Sequence, residues 1–313
     1  MFFGTPAFAV ASLQALTQSA HQVVAVVSQP DRPKGRGHEV QATPTKTLAE
    51  TSAIPVLQPA KIRDEGFLQQ IRDLRPDLGI VVAFGRILPD ALLAIPRLGM
   101  INVHASILPR YRGAAPIQRA VLAGDPETGV TIMRVITEMD AGPTFATASV
   151  PIPPDATSGE MEGTLAHLGA ELLLPVVADL AAGRAVETPQ DASRATHAPK
   201  ITKAEGPIDW TDAASTVHNK VRGLQPWPLA SSHLAGERLV LRRTVPGVRS
   251  GLDTNSDLTP GTVVRARGDE LIVACGEATV LRILELQPEG RRTMTAREFL
   301  AGRGAVEGIR FEP

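Results

Sequence analysis

Four short runs constrain the first half of the chain: HQVVAVVS (21–28), LGIVVAF (78–84), MINVHA (100–105) and GVTIMRVI (129–136). Each is short, nearly all apolar and rich in β-branched side chains, which pack well on a pleated surface. Between them lie stretches of helical period, AFAVASLQALTQ (7–18), EGFLQQIRDL (65–74) and PIQRAVLA (116–123). Strands joined through helices return in the same direction, so this alternation predicts an α/β fold, a Rossmann-like parallel sheet with helices on both faces. Burial on both faces is why such strands read as continuous apolar runs. Thr5-Pro6 and Thr43-Pro44 each set a capping hydroxyl and a first-turn proline before an apolar period. A longer helix is expected from about Ser158 to Leu180, ending near Gly183.

Residues 184–206, RAVETPQDASRATHAPKITKAEG, are polar and turn-rich and read as a linker. Beyond it, RLVLRRTV (238–245), GTVVRA (261–266), ELIVACG (270–276) and ATVLRILELQ (278–287) are strand-like runs separated by turn residues, the pattern of a small β-barrel or sandwich. The chain of 313 residues thus divides into 1–183, a linker 184–206, and 207–313.

A net charge of −1 produces no global field that would announce a nucleic acid or a membrane. The single cysteine, Cys275, excludes an internal disulfide and a cysteine-built zinc site. The histidines show no ligand spacing, so no metal is expected. No unbroken apolar run approaches the roughly 18 residues of a membrane helix, and the N-terminus lacks the basic-then-apolar pattern of a secretory signal. A cytoplasmic protein with no membrane association is the expectation.

The run INVHASILPRYRGAAPIQ (101–118) carries an amide and an imidazole at alternate positions of a buried strand. Asn102 and His104 face the same side if the strand continues through them. Spacing alone leaves open whether they serve chemistry or satisfy backbone groups in the turn that follows. The next strand leads into Asp140-Ala-Gly-Pro, which sets a carboxylate at the carboxyl end of a neighbouring strand. In parallel α/β sheets ligands bind at those ends. An amide donor, an imidazole and a carboxylate converging there suit acyl transfer to an amine. Amide and imidazolium stabilise an oxyanion, and the carboxylate organises proton movement. Met133 and Met139 read as core fillers, and Trp227, between two prolines, as a packing anchor.

NVHASILPRYRGAAPIQ followed by VITEMDAGP closely resembles the methionyl-tRNA formyltransferases. FFGTPAFAV (2–10), QPDRPKGRG (29–37), VVAFGRILP (81–89), IDW (208–210) and Pro226-Trp227-Pro228 match the same family in the same order, so the resemblance covers essentially the whole chain. Two departures stand out. Ala105 occupies a position where glycine is commoner, and the first strand lacks several residues usual before FFGTP, so either that strand is short or the native chain begins upstream of Met1.

The resemblance implies a Rossmann-like catalytic domain followed by an oligonucleotide-binding-like barrel. It implies transfer of a formyl group from 10-formyltetrahydrofolate, the co-substrate, to the α-amine of methionyl initiator tRNA. Asn102, His104 and Asp140 are then the catalytic trio. Val82, Ala83, Phe84, Gly85, Arg86, Ile87 and Leu88, with Ser106, Leu108 and Pro109, are expected at the folate. The segment after the second strand is far longer than the ~2–6 residues usual for such a connection. It reads as a structureless basic loop, and the resemblance assigns it to the acceptor end of the tRNA, with Arg32, Lys34 and Arg36 as contacts and Arg36 foremost. Lys200, Lys203, Arg242 and Arg243 are expected to track a phosphate backbone, although basic and acidic residues balance over the C-terminal part. A monomer is expected. The rivals are a relative that formylates a small amine, and an RNA-binding protein without catalysis.

Overall fold

The structure, a computed structural model, describes residues 1–34, 39–248, 259–303 and 306–312. The chain forms two compact units, the first of residues 1–116, 127–151 and 162–199, the second of 117–126, 152–161 and 200–313.

The first unit contains β1 (Phe2–Gly4), β2 (Val26–Val27), β3 (Arg32–Lys34), β4 (Glu39–Gln41), β5 (Val56–Leu57), β6 (Gly79–Val82), β7 (Met100–His104), β8 (Arg112–Gly113), β9 (Glu127–Arg134), β10 (Thr144–Pro151) and β11 (His197–Ala198). Its helices include α1 (Phe8–Thr17), α2 (Pro44–Thr51), α3 (Glu65–Asp73) and α4 (Asp90–Leu93); α5 (Pro116–Ala123) and α6 (Ser158–Ala181) follow in the chain. Seven strands make one sheet in the order β10-β9-β7-β6-β1-β2-β5. From β5 to β7 the strands are parallel, the Rossmann-like arrangement that the alternation predicts. Consecutive residues of a strand face opposite sides, and Phe2 and Phe3 are both fully buried, so both faces are covered. Phe3 joins Val27, Phe67, Ile71, Val81 and Leu92 in a core on one side. β1 is short, with three residues.

The sheet is not parallel throughout. β9 runs antiparallel to β7, and β10, which sequence reading did not anticipate, antiparallel to β9. An apolar run reports burial but not direction. Helix caps divide likewise. Thr43 caps α2 by accepting from the Lys46 amide, with Pro44 opening the helix. Thr5 does not cap α1, because its hydroxyl instead accepts from the Gln29 amide at 3.2 Å. α6 is the one helix among the described residues long and apolar enough to cross a membrane by length and composition, although Glu and Asp interrupt its apolar run. Within the first unit it lies against the sheet, where a Cβ on Gly169 would meet Val103 at 2.8 Å.

The second unit contains α7 (Ala214–Gly223), β12 (Ser231–Leu234), β13 (Glu237–Val248), β14 (Val263–Arg267), β15 (Glu270–Ala274), β16 (Thr279–Pro288), β17 (Met294–Thr295), α8 (Ala296–Ala301) and β18 (Phe311–Glu312). The strands form an antiparallel sheet in the order β14-β15-β16-β13-β12-β18, with β17 on β16. It curls into a small barrel. The backbone of β14 exchanges hydrogen bonds with residues 308–309, the Phe311 amide donates to the Gly261 carbonyl at 2.8 Å, and β18 itself pairs with β12. The C-terminal segment therefore covers both open edges, which otherwise expose unpaired backbone groups. Trp210 and Phe311 pack inside with ring centroids 5.1 Å apart. Trp227 is 53% exposed and so is not the packing anchor expected. Met139 is also exposed, whereas Met133 fills the core as expected.

The stretch 184–206 differs from a free tether. Thr188 bridges Thr144 at the start of β10, and β11 pairs in parallel with β8. Polar composition conceals these backbone hydrogen bonds, because they require no apolar side chain. Nor do the units follow one another as the division at 183 and 207 expects, since 117–126 and 152–161 belong to the second.

Candidate active site

β6 and β7 run in parallel with Val81 opposite Asn102, so the loops that leave them emerge together at their carboxyl ends. Asn102 and His104, two residues apart on β7, share one face. Asn102 is half-buried and its amide makes no hydrogen bond among the described residues. His104 is 5% exposed. Its Nε2 lies 3.0 Å from the Tyr111 carbonyl oxygen, which can only accept, so Nε2 carries a proton and donates. Nδ1 then faces Asp140 Oδ1 at 3.7 Å.

Asp140 reaches this point by a route the sequence reading did not foresee. β9 pairs Ile101 with Arg134 and His104 with Thr131, so the chain leaves β9 at the end of β7 remote from His104. The acid is therefore not at the carboxyl end of a parallel neighbour. It sits in the connection between β9 and β10, which folds back over the site. Thr137 on this connection donates to Asp90 at 2.6 Å, and the Gly113 amide donates to Asp140 Oδ2 at 2.9 Å. Asp140 has a φ of +53°, a left-handed conformation uncommon outside glycine. Gly142 permits the return, since a Cβ there would lie 2.0 Å from the Arg134 carbonyl oxygen.

The turn after β7 is braced by a residue that sequence reading passed over. The Thr131 hydroxyl donates to the Ser106 carbonyl at 2.8 Å and accepts from the Leu108 amide at 3.2 Å. Ser106 is fully buried and its hydroxyl donates to the Arg110 carbonyl at 2.7 Å. Leu108 is buried and Pro109 half-buried. Ala105 keeps a negative φ, so alanine serves where glycine was the commoner expectation.

The loop after β6 divides by direction. Val82, Phe84 and Leu88 are buried, with the Phe84 ring edge-on to Phe3 at 5.6 Å. Ala83 and Gly85 take left-handed φ values of +46° and +78°, and Ile87 is 74% exposed. Arg86 donates to the carbonyls of Pro59 and Ala60, and Gln29 to that of Phe84. No amide from Phe84 to Leu88 bonds another backbone group among the described residues. Amides without a backbone partner beside an exposed aliphatic side chain fit a flat heterocycle with polar edges, such as a pterin.

The basic segment expected as a structureless loop begins and ends as a hairpin, with Arg32 opposite Gln41. Arg32 is exposed. Arg36 lies outside the described residues, as does the side chain of Lys34. The base of the hairpin is anchored by Asp31, which accepts from Lys46 Nζ at 2.5 Å and from Gln58 Nε2 at 2.7 Å. The Lys46 ammonium holds the Asp31 carboxyl below the usual carboxylate range. In the second unit Lys200 and Lys203 are exposed, Arg242 is half-buried, and Arg243 is exposed, 3.9 Å from Glu285.

The family described as "Formyl transferase" matches residues 1–177, and "Formyl transferase, C-terminal domain" matches 200–304. The chain is similar to the methionyl-tRNA formyltransferase of Methylococcus capsulatus, 47% identical over 96% of this chain and 95% of that one. Against the same enzyme of Trichlorobacter lovleyi it is 45% identical over 100% and 96%. Among solved structures, an N-formyltransferase of Helicobacter canadensis in complex with folinic acid and dTDP-3-aminofucose shares the fold. Its TM-score is 0.67 at 15% identity, covering 90% of this chain and 97% of that one. HypX of Aquifex aeolicus in complex with tetrahydrofolic acid matches with a TM-score of 0.61 at 18% identity, over 96% of this chain and 46% of the other. The relatives resemble this chain from end to end and both parts match the formyl transferase models, so the chain belongs to the methionyl-tRNA formyltransferase family.

Proposed function

We propose that the chain moves a formyl group from 10-formyltetrahydrofolate to the α-amine of methionyl initiator tRNA. The observation that carries the mechanism is the approach of His104 to Asp140, with Asn102 on the same face of β7 and its amide making no hydrogen bond among the described residues. In this reading the uncharged amine attacks the formyl carbon directly. A C–N bond forms, the carbonyl electrons move to oxygen, and the bond from the formyl carbon to folate nitrogen then breaks. Asn102 donates to the oxyanion, and a proton on His104 Nδ1, held by Asp140, supplies the opposing charge. Asp140 organises removal of the proton from the attacking amine, and the departing nitrogen takes one up.

The amides of Phe84–Leu88, which bond no backbone group among the described residues, and the exposed Ile87 support a folate seat in the β6 loop. The basic segment of sequence that includes Arg32, Lys34 and Arg36 takes the acceptor end of the tRNA in this reading, and the barrel, with Lys200, Lys203, Arg242 and Arg243, its backbone. The reading entails a cytoplasmic monomer that needs neither metal nor membrane.

The deciding experiment incubates the protein with the folate donor and methionine-charged initiator or elongator tRNA, and detects formylmethionine. Formylation of initiator tRNA alone is expected. Formylation only of a small amine, such as an amino sugar nucleotide, would overturn the acceptor; RNA binding without any transfer would overturn catalysis.

A further inference from the structure

We infer that Gln190, outside the trio, is the positioning residue that holds Asp140 against His104, and that Arg112 sets the orientation of Gln190. The inference rests on the proposed reaction. Gln190 Nε2 donates to the Asp140 carbonyl at 2.9 Å and to the Gly142 carbonyl at 2.7 Å. Its Oε1 accepts from Arg112 Nε at 3.1 Å and Nη2 at 2.9 Å. This amide has one workable orientation. Flipped, its NH2 would meet a guanidinium and its oxygen two carbonyls, and all four bonds would be lost. A glutamine is the side chain that joins two acceptors on one side to two donors on the other.

What Gln190 holds is strained. A non-glycine residue in the left-handed region persists where its surroundings over-determine it. Asp140 is such a residue, and Gln190 grips the backbone on both sides of Ala141 while the Gly113 amide grips the carboxylate. The grip is shared by both halves of the pair. Arg112 follows Tyr111, whose carbonyl accepts from His104, and the segment that carries Gln190 returns to this strand. Thr196 Oγ1 accepts from the Tyr111 amide at 2.8 Å, and His197 Nδ1 lies 3.1 Å from the Arg112 carbonyl. Residues 188–198 thus fix the imidazole through Tyr111 and the carboxylate through Gln190. The separation of 3.7 Å between them is longer than a hydrogen bond, so small displacements of the 140–142 backbone decide whether the contact closes.

Gln190→Ala and the near-isosteric Gln190→Met are the test, with the full chain, the folate donor and charged initiator tRNA. A misplacement of the order of an ångström costs about 100-fold in turnover, so kcat should fall about 10- to 100-fold. KM for either substrate should change by less than about threefold, because neither substrate touches Gln190 in this reading. The pH dependence of kcat should change shape as the Asp140–His104 contact loosens. In an Asp140→Asn background the same substitutions should cost little more, since Gln190 acts through that carboxylate. Equal losses in both backgrounds, or a rise in KM at unchanged kcat, would overturn the inference. An inactive wild type would instead reject the proposed reaction. Should Gln190→Ala fold poorly, Gln190→Met answers the question, and near-normal kcat in either variant refutes the positioning role.

Discussion

Removing the Asn102 amide takes away one donor and little else. The group makes no hydrogen bond among the described residues, so its absence leaves no partner stranded. Asn102→Ala should therefore change stability by under about 1 kcal/mol, within the range of substitutions that break no network. It should lower kcat about 100- to 1,000-fold if the amide serves an oxyanion. Steady-state kinetics beside thermal melting would separate the two, and a folded variant with near-normal kcat would remove Asn102 from the chemistry. His104→Ala differs, because Nε2 anchors the half-buried Tyr111 carbonyl and its loss costs about 1 kcal/mol for the hydrogen bond removed, together with turnover. At this scale the sequence was informative for residues within one strand. The two-residue period puts Asn102 and His104 on a common face without knowledge of the fold. It says nothing of Thr131 or Gln190, whose partners are backbone carbonyls and amides far along the chain. A hydroxyl or amide meant for a distant backbone group looks in sequence like any other polar residue.

Among the elements, the parallel strands were legible because burial on both faces leaves a continuous apolar run. β9 is buried in the same way, and so its reversed direction left no trace in its residues. The hairpin of β3 and β4 was invisible for the opposite reason, being short, polar and anchored by charge. Lys46 on α2 and Gln58 after β5 hold Asp31 at its base, which couples the seat of the basic segment to the sheet. Lys46→Met should loosen that base, raising KM for charged tRNA several-fold while leaving KM for the folate donor unchanged. The sign of its pH dependence follows from the depressed Asp31 carboxyl. A group whose folded pKa lies below its unfolded value near ~3.9 contributes fully above that value, and the contribution is lost as pH falls through the folded one. The difference in melting temperature between wild type and Lys46→Met should thus be level from about pH 5 to 8 and shrink only below about pH 4. A difference that vanished near neutrality would mean that Asp31 is not the partner.

For the whole molecule, composition marks a change of character after residue 183, and the family resemblance marks two functional parts. Neither reveals that the second unit takes in segments from the first half of the chain. Residues 117–126 and 152–161 belong with the barrel, and their contacts there are specific. The Ser158 hydroxyl donates to the Gly223 carbonyl at 2.8 Å, His218 lies 3.0 Å from the Pro154 carbonyl, and Arg222 donates to that of Ala156 at 3.2 Å. Leu122 lies where a Cβ on Gly223 would come within 2.8 Å. A chain cut after Pro199 keeps these segments but loses these partners on α7. Three carbonyl and hydroxyl groups lose their partners, each costing about 1–3 kcal/mol where it stays buried, and Leu122 turns to water. Against the 5–15 kcal/mol of an ordinary domain that loss is large. A fragment of residues 1–199 should therefore melt well below the full chain or fail to remain soluble. Expression of this fragment beside the full chain, with solubility and thermal unfolding as readouts, decides the point. A fragment that melts cooperatively at the full chain's temperature would show that the contacts of these segments with the barrel carry no stability.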